Sequence, residues 1–255
     1  MFKNVKFYWR VFGMGVGFAL VGIGGIFVFP LLNLFIRDHR ARNELARRVI
    51  RISFRGIVGL MRWLGVFHYE IMGLERLNRR GLLILANHPT LLDIVFLGAF
   101  VEQADCIVKN ALWRNPFTHA TVRAAGYIRN DDEETLLQRC IASVRDGSNL
   151  IIFPEGTRTP PDGWIKLKRG AANIAVRGVR NITPVLIRCT PRMLGKGEKW
   201  WQVPRRSAHF RIEVHEDIEI RRFITEASSA PLAARHLTRY LQNLFVHGNE
   251  QHAFV

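Results

Sequence analysis

From Val11 to Ile36 the chain runs 26 residues without a charged side chain. About 20 apolar residues suffice to span a bilayer, so a run of this length belongs in lipid or deep in a core. Lys3, Lys6 and Arg10 precede it in the manner of a signal-peptide n-region. The apolar run is too long for an h-region, however, and no small-residue cleavage site followed by a polar stretch is present. The reading is a retained membrane segment; the rival reading is a buried hairpin of a soluble core. Pro30 is expected to kink or end a helix, so the segment either crosses once or dips in and returns along the surface. Arg37, Arg40, Arg42, Arg47, Arg48, Arg51 and Arg55 follow and outnumber the basic residues upstream. That asymmetry places the body of the protein on the cytoplasmic side of the inner membrane.

The chain has 255 residues, enough for one substantial core. Its formal net charge of +16 and pI near 10.9 call for anionic partners: a phospholipid surface, nucleic acid or a phosphorylated substrate. Cys106, Cys140 and Cys189 are far apart, odd in number and without a Cys-x-x-Cys pair. They read as free thiols in a reducing compartment, with no metal site.

Residues 41–64 have a helical pattern, with Leu45, Val49, Ile52 and Leu60 near one face and Trp63 close by. Arg47, Arg48, Arg51, Arg55 and Arg62 lie mostly elsewhere. Such a helix fits the headgroup layer. It fits equally a helix packed on the globular domain with solvated arginines.

From Tyr69 the pattern is α/β. Apolar runs at 82–86, 105–108, 149–153 and 182–187 read as buried strands. Helical stretches at 90–101, 116–125, 132–145 and 170–179 sit between them, His209 to His215 alternates like a further strand, and Pro231 to Val246 closes the chain as a helix. The expected fold is a largely parallel sheet with helices on both faces, preceded by a membrane helix and an amphipathic interfacial helix. The boundary is placed between residues 1–67, the anchor, and 68–255, the catalytic domain. The loop from Pro191 to Arg206 combines Lys196, Lys199, Arg205 and Arg206 with Trp200 and Trp201. It fits a membrane–water interface or the capped edge of a core.

Asn87-His88-Pro89-Thr90-Leu91-Leu92-Asp93 follows the run Leu82 to Ala86. With Pro89 as the first residue of a helix, His88 stands just outside it and escapes helical geometry. Its ring can then turn to Asp93, a turn and a half in. A carboxylate on one ring nitrogen fixes the tautomer and leaves the other nitrogen to take a proton, while the helix N-terminus disfavours an imidazolium. No Gly-x-Ser-x-Gly elbow is present, so no acyl-enzyme is indicated.

Phe153-Pro154-Glu155-Gly156-Thr157-Arg158 follows Leu150-Ile151-Ile152. Gly156 permits a tight turn and close approach to a ligand. Arg158 offers a fork suited to phosphate, with Lys166, Lys168 and Arg169 downstream and a helix opening at Gly170. Glu155 would be costly to bury alone, so it pairs with an arginine or orients the turn.

Together these two segments, in this order and at this separation, resemble the glycerophospholipid acyltransferase family, that of the 1-acylglycerol-3-phosphate acyltransferases. The first looks like the family's His-x4-Asp motif and the second like its third motif; the resemblance covers about residues 68–190. It implies that His88 is the base on the acceptor hydroxyl and that Asp93 orients it. It implies too that Glu155, Gly156, Thr157 and Arg158 bind the acceptor phosphate. The donor would be a thioester of coenzyme A or acyl carrier protein, with no other cofactor, and the acceptor a lysophospholipid drawn from the membrane.

Two stretches depart from the family pattern. The second motif resembles Gly-x-x-Phe-x-x-Arg, whereas this chain reads Gly126-Tyr127-Ile128-Arg129-Asn130-Asp131-Asp132, so Arg129 or Arg123 would take the arginine's part. The fourth motif here is Thr183-Pro184-Val185-Leu186-Ile187-Arg188, without the second proline nearby. Two acceptors therefore stay open, 1-acylglycerol-3-phosphate and a specialised membrane lipid such as an amino-acid-linked or polyene-type lipid. No RNP, zinc-finger or helix-turn-helix signature supports nucleic-acid binding. A membrane scaffold with a decayed catalytic domain is the non-enzymatic rival, and the presence of both His88 and Asp93 weighs against it.

Overall fold

The computed structural model describes residues 2–130 and 133–250. Seven strands form one sheet: β1 (Phe67–Met72), β2 (Leu83–Ala86), β3 (Ala104–Val108), β4 (Ile128–Arg129), β5 (Asn149–Ile152), β6 (Ile182–Thr190) and β7 (Ala208–Val214). Their order across the sheet is β1-β7-β6-β2-β5-β3-β4. The five strands from β6 to β4 are mutually parallel. β7 runs antiparallel to β6 and carries β1 parallel to itself, so two strands at one edge are reversed. The sheet is largely parallel, as the alternation of strands and helices implies.

Helices cover both faces. α1 (Phe2–Phe35), α2 (His39–Trp63) and α3 (Asp93–Phe100) lie on one, and α6 (Glu133–Arg145), α7 (Gly170–Gly178), α8 (Ile220–Thr225) and α9 (Ala230–Glu250) on the other. α4 (Asn110–Arg114) and α5 (Pro116–Ala125) link β3 to β4. The two-residue period of a strand divides the core: Ile84 and Ala86 pack towards α2 and α3, while Leu83 and Leu85 pack towards α7 and α9.

α1 is long and apolar enough to cross a membrane over Val5–Phe35. Of the two outcomes expected at Pro30, a kink or an end, it does not end the helix, which continues to Phe35. One lost backbone bond is offset by packing. Phe29 is buried with Ala46, Ile50 and Ala124, and Asn33 donates to the carbonyl of Ala120 at 3.0 Å. Contact with the domain runs along one face. Met14 sits in the main core with Ile57, Val58 and Met61. A Cβ at Gly25 would meet the carbonyl oxygen of Phe117 at 2.6 Å, so only glycine permits that approach.

α2 packs on the domain only in part by the face the apolar pattern marks, for of that face Val49 and Leu60 lie against the core. Ala46, Arg47, Ile50, Ile57, Val58 and Met61 are buried, whereas Leu45 and Ile52 are exposed and Trp63 is 79% exposed. Arg47 is not solvated. It pairs with Asp105 of β3 at 2.9 Å and donates to the carbonyl of Ala125 and the hydroxyl of Ser148 at 2.9 and 2.8 Å. Asp105 also accepts from Ser143 at 2.6 Å and from the N–H of Cys106 at 2.8 Å, so the buried pair is hydrogen-bonded throughout. All three cysteines are free thiols.

Candidate active site

β2 and β5 are parallel neighbours, with Leu83, Ile84 and Leu85 beside Leu150, Ile151 and Ile152. The chain leaving their carboxyl ends carries the two motifs side by side, where open α/β sheets form their crevices. Asn87, buried beyond the end of β2, extends the ladder with its side chain. Its amide donates to the carbonyl of Ile187 at 2.8 Å and accepts from the Ile187 N–H at 2.7 Å. The next residue, His88, is thereby fixed over β6 and β5.

His88 Nδ1 lies 2.8 Å from Asp93 Oδ2, with 15% of the histidine side chain and none of the aspartate exposed. The route to that contact differs from the expected one. Pro89 does not open a helix and His88 is not a cap. Residues 89–92 form a turn, and the helix begins at Asp93, its first bond running from the N–H of Phe96 to the carbonyl of Leu92. The backbone N–H groups of Thr90, Leu91 and Leu92 go instead to Asp93 Oδ2, the Leu194 carbonyl and the Thr90 hydroxyl, at 2.8, 3.1 and 3.1 Å. Thr90 Oγ1 also donates to Asp93 Oδ1 at 2.6 Å.

Burial pushes the Asp93 carboxyl up from its ordinary value, and the hydrogen bonds from His88 and Thr90 work against that rise. The N–H of Thr90 can only donate, so Oδ2 is an acceptor. For an acceptor Oδ2, the histidine tautomer carries its proton on Nδ1. Nε2 is left with no protein partner among the described residues, free to take a proton.

The second motif grips the first through the backbone of His88. Glu155 Oε1 accepts the His88 N–H at 2.8 Å, and the His88 carbonyl accepts the Thr159 N–H at 2.7 Å. The Thr159 hydroxyl closes the ring by donating to Glu155 Oε1 at 3.0 Å. Glu155 therefore orients the turn and is not paired with an arginine. Burial raises its carboxyl above the usual range, and the donors from His88 and Thr159 oppose that. Phe153 stacks on the His88 imidazole with centroids 4.1 Å apart. The sequence reading placed Asn87 and Phe153 within the two motifs but gave them no role, and it passed over Thr159, the residue directly after Arg158.

Gly156 adopts φ of 69°, and a Cβ there would lie 3.0 Å from Lys168 Nζ, so the glycine lets an ammonium group settle against the turn. Thr157 is half-buried in the same turn. Arg158 Nη1 donates to the carbonyls of Leu194 and Gly195 at 2.9 and 2.8 Å, which leaves Nε and Nη2 without a protein partner among the described residues. Arg129 is apart from this group. It ends β4, three strand positions from β2, and its Nε donates to Asn110 Oδ1 at 2.7 Å. Asp131 and Asp132 of the same segment lie outside the described residues. Among the described residues no group of three or more His, Cys, Asp or Glu side chains is placed to hold a metal.

The acyltransferase family pattern matches residues 68–188. Over 174 residues the chain is 27% identical to the 1-acyl-sn-glycerol-3-phosphate acyltransferase of Pseudomonas aeruginosa, 66% of this chain and 68% of that one. Over 200 residues it is 28% identical to the enzyme of that name from Saccharomyces cerevisiae, 74% of this chain and 63% of that one. Over 112 residues it is 34% identical to that of Helicobacter pylori, 41% of this chain and 47% of that one. The chain thus spans between 47% and 68% of these relatives' lengths. The crystal structure of the 1-acyl-sn-glycerophosphate acyltransferase PlsC from Thermotoga maritima has the same fold, with a TM-score of 0.70, 20% identity and full coverage of both chains. With His88 and Asp93 joined over β2 and the Glu155 turn locked to them, residues 68–188 carry the acyltransferase family's pattern, and the chain is similar to the 1-acyl-sn-glycerol-3-phosphate acyltransferases.

Proposed function

We propose that the protein moves a fatty acyl group from a thioester of coenzyme A or acyl carrier protein to the free hydroxyl of 1-acylglycerol-3-phosphate, giving phosphatidic acid. The observation that carries this reading is the His88–Asp93 pair at 2.8 Å with Nε2 open. Nε2 takes the acceptor's hydroxyl proton as its oxygen attacks the thioester carbonyl. The C–S bond breaks, and the imidazolium returns its proton to the departing thiolate. Asp93 holds the tautomer and stabilises the transient positive charge.

The acceptor phosphate is assigned to the Glu155–Arg158 turn. Arg158 supports this with its Nε and Nη2 groups left over from its loop contacts, and Lys168 with its ammonium beside Gly156. Glu155 acts by shaping the turn, Gly156 by admitting Lys168 and Thr157 by its position beside them. Arg129, which ends β4 apart from this turn, is kept as a second candidate for the acceptor headgroup on the strength of its place in the second motif.

The protein works at the membrane, in this reading with its catalytic domain on the cytoplasmic side. The outward face of α1 carries Trp9, Phe12, Ile23, Phe27, Leu31 and Leu34, all exposed. Its inward face remains on the domain, so acceptor and anchor share one lipid surface.

The test is direct assay of the purified full chain with 1-acylglycerol-3-phosphate and, separately, acyl-coenzyme A and acyl-acyl carrier protein. Phosphatidic acid from at least one donor is expected. Equal acylation of a neutral alcohol lacking phosphate or carboxylate would remove the acceptor assignment and leave the roles of His88 and Asp93 standing.

A further inference from the structure

The segment between β6 and β7 has an unusual exposure profile. Met193, Leu194 and Gly195 are buried, the next seven residues from Lys196 to Gln202 are all exposed, and Val203 is buried again. The tip is not loose. The N–H of Gly195 donates to Glu198 at 2.7 Å and that of Lys199 to Gln202 at 2.6 Å, so the tip is built around its own side chains. This holds Trp200 and Trp201 outward, 43% and 48% exposed. A tryptophan removes a large apolar area from water when sequestered, and two held half in solvent are unspent burial. Lys199 lies over the Trp201 ring at 5.1 Å, and Lys196, Arg205 and Arg206 flank the pair along the chain, with Glu198 the single acid between Pro191 and Arg206.

Two further contacts fix where this tip sits. Trp200 packs on Phe18 with centroids 6.4 Å apart and crosses Gly15, whose added Cβ would meet it at 3.3 Å. Arg10 donates to the carbonyl of Arg205. The tip is therefore continuous with the apolar helix α1. At its root, the Leu194 carbonyl accepts from Leu91 and Arg158, and the Gly195 carbonyl from Arg158, so the same loop ends on both site motifs.

We propose that Lys196–Gln202 docks on an anionic lipid bilayer as a second membrane contact, with the two tryptophans at the headgroup level and the cations on lipid phosphates. The inference rests on the membrane association proposed above and adds what that reading lacks, a contact tied to the site itself. Cations beside tryptophan suit the bilayer interface, and the loop's charge complements anionic lipid. Docking would set the mouth of the site against the surface that delivers a lipid acceptor.

The test uses the full chain reconstituted in vesicles of equal parts phosphatidylcholine and phosphatidylglycerol, some with brominated acyl chains. The emission of the tip is isolated by subtracting that of a Trp200→Phe/Trp201→Phe variant from wild type. The docked loop gives a blue-shifted difference emission, quenched by at least about half by brominated lipid, and weaker quenching in a Lys196→Gln/Lys199→Gln variant. Vesicle flotation is read in parallel and reports α1 rather than the tip. Flotation with an unquenched difference emission overturns the loop contact and spares the anchor. Equal quenching without phosphatidylglycerol overturns the anionic part. A wild-type chain that does not float overturns both readings.

Discussion

The imidazole of His88 and the ring of Phe153 lie face to face, 4.1 Å between centroids and 18° between planes. Asp93 fixes one edge of the imidazole and Phe153 fixes its plane. The base is thus oriented by a residue from each motif, which explains why the two segments must leave neighbouring parallel strands.

Replacing Phe153 by Leu removes the stack but keeps an apolar side chain. Offset aromatic pairs contribute about 0.5–1.5 kcal/mol, so turnover is expected to fall about three- to tenfold as the ring loses its plane. The acceptor KM should stay near wild type, and Phe153→Tyr should restore most of kcat. A purely structural Phe153 would instead lower the amount of folded enzyme and leave kcat per folded molecule intact.

Arg158→Lys keeps the charge but loses the planar fork. Lysine cannot bridge the carbonyls of Leu194 and Gly195 while facing a phosphate. The acceptor KM is expected to rise about tenfold with the donor KM little changed. Arg129→Ala, measured alongside, should also raise acceptor KM; an unchanged value removes that residue from the phosphate site.

The sequence made the core strands and the two motifs legible, because buried parallel strands are written as apolar runs and the motifs directly follow two of them. β1 was not legible: its burial alternates at the sheet edge, and His68 and Glu70 interrupt any run. β4 is two residues long and leaves no pattern at all. The helix start was misplaced from Pro89 to Asp93 for a local reason. Proline's fixed φ suits a turn as well as a first helical position, and here the side chains of Thr90 and Asp93 claim the N–H groups of the turn. The packing face of α2 was legible only in part, through Val49 and Leu60, because its central contact is an arginine and only the position of Asp105 in the fold turns Arg47 from a solvated charge into a buried one.

That buried pair makes the next prediction. Asp105→Ala leaves Arg47 charged, with both side chains less than a tenth exposed, and should destabilise the protein by about 3–5 kcal/mol. Thermal unfolding is the measurement. A double variant, Arg47→Met with Asp105→Leu, should recover most of the loss.

Burial pushes the thiols of Cys140 and Cys189 up to about 12, and that of Cys106 higher still. A raised thiol pKa means less thiolate at any lower pH. At pH 8 the thiolate fraction is about one in ten thousand, against roughly a quarter for an ordinary cysteine, and it grows about tenfold per pH unit. The native protein should therefore resist iodoacetamide at pH 8 and keep its activity, whereas the unfolded chain takes up three labels.

The central claim is that His88 Nε2 removes the acceptor's proton, and the most direct measurement is acyl transfer by folded His88→Ala protein. Turnover is expected to fall at least about a hundredfold, the usual range for removing a general base, with thermal unfolding and acceptor binding close to wild type. Near-normal turnover in that folded variant would contradict the account.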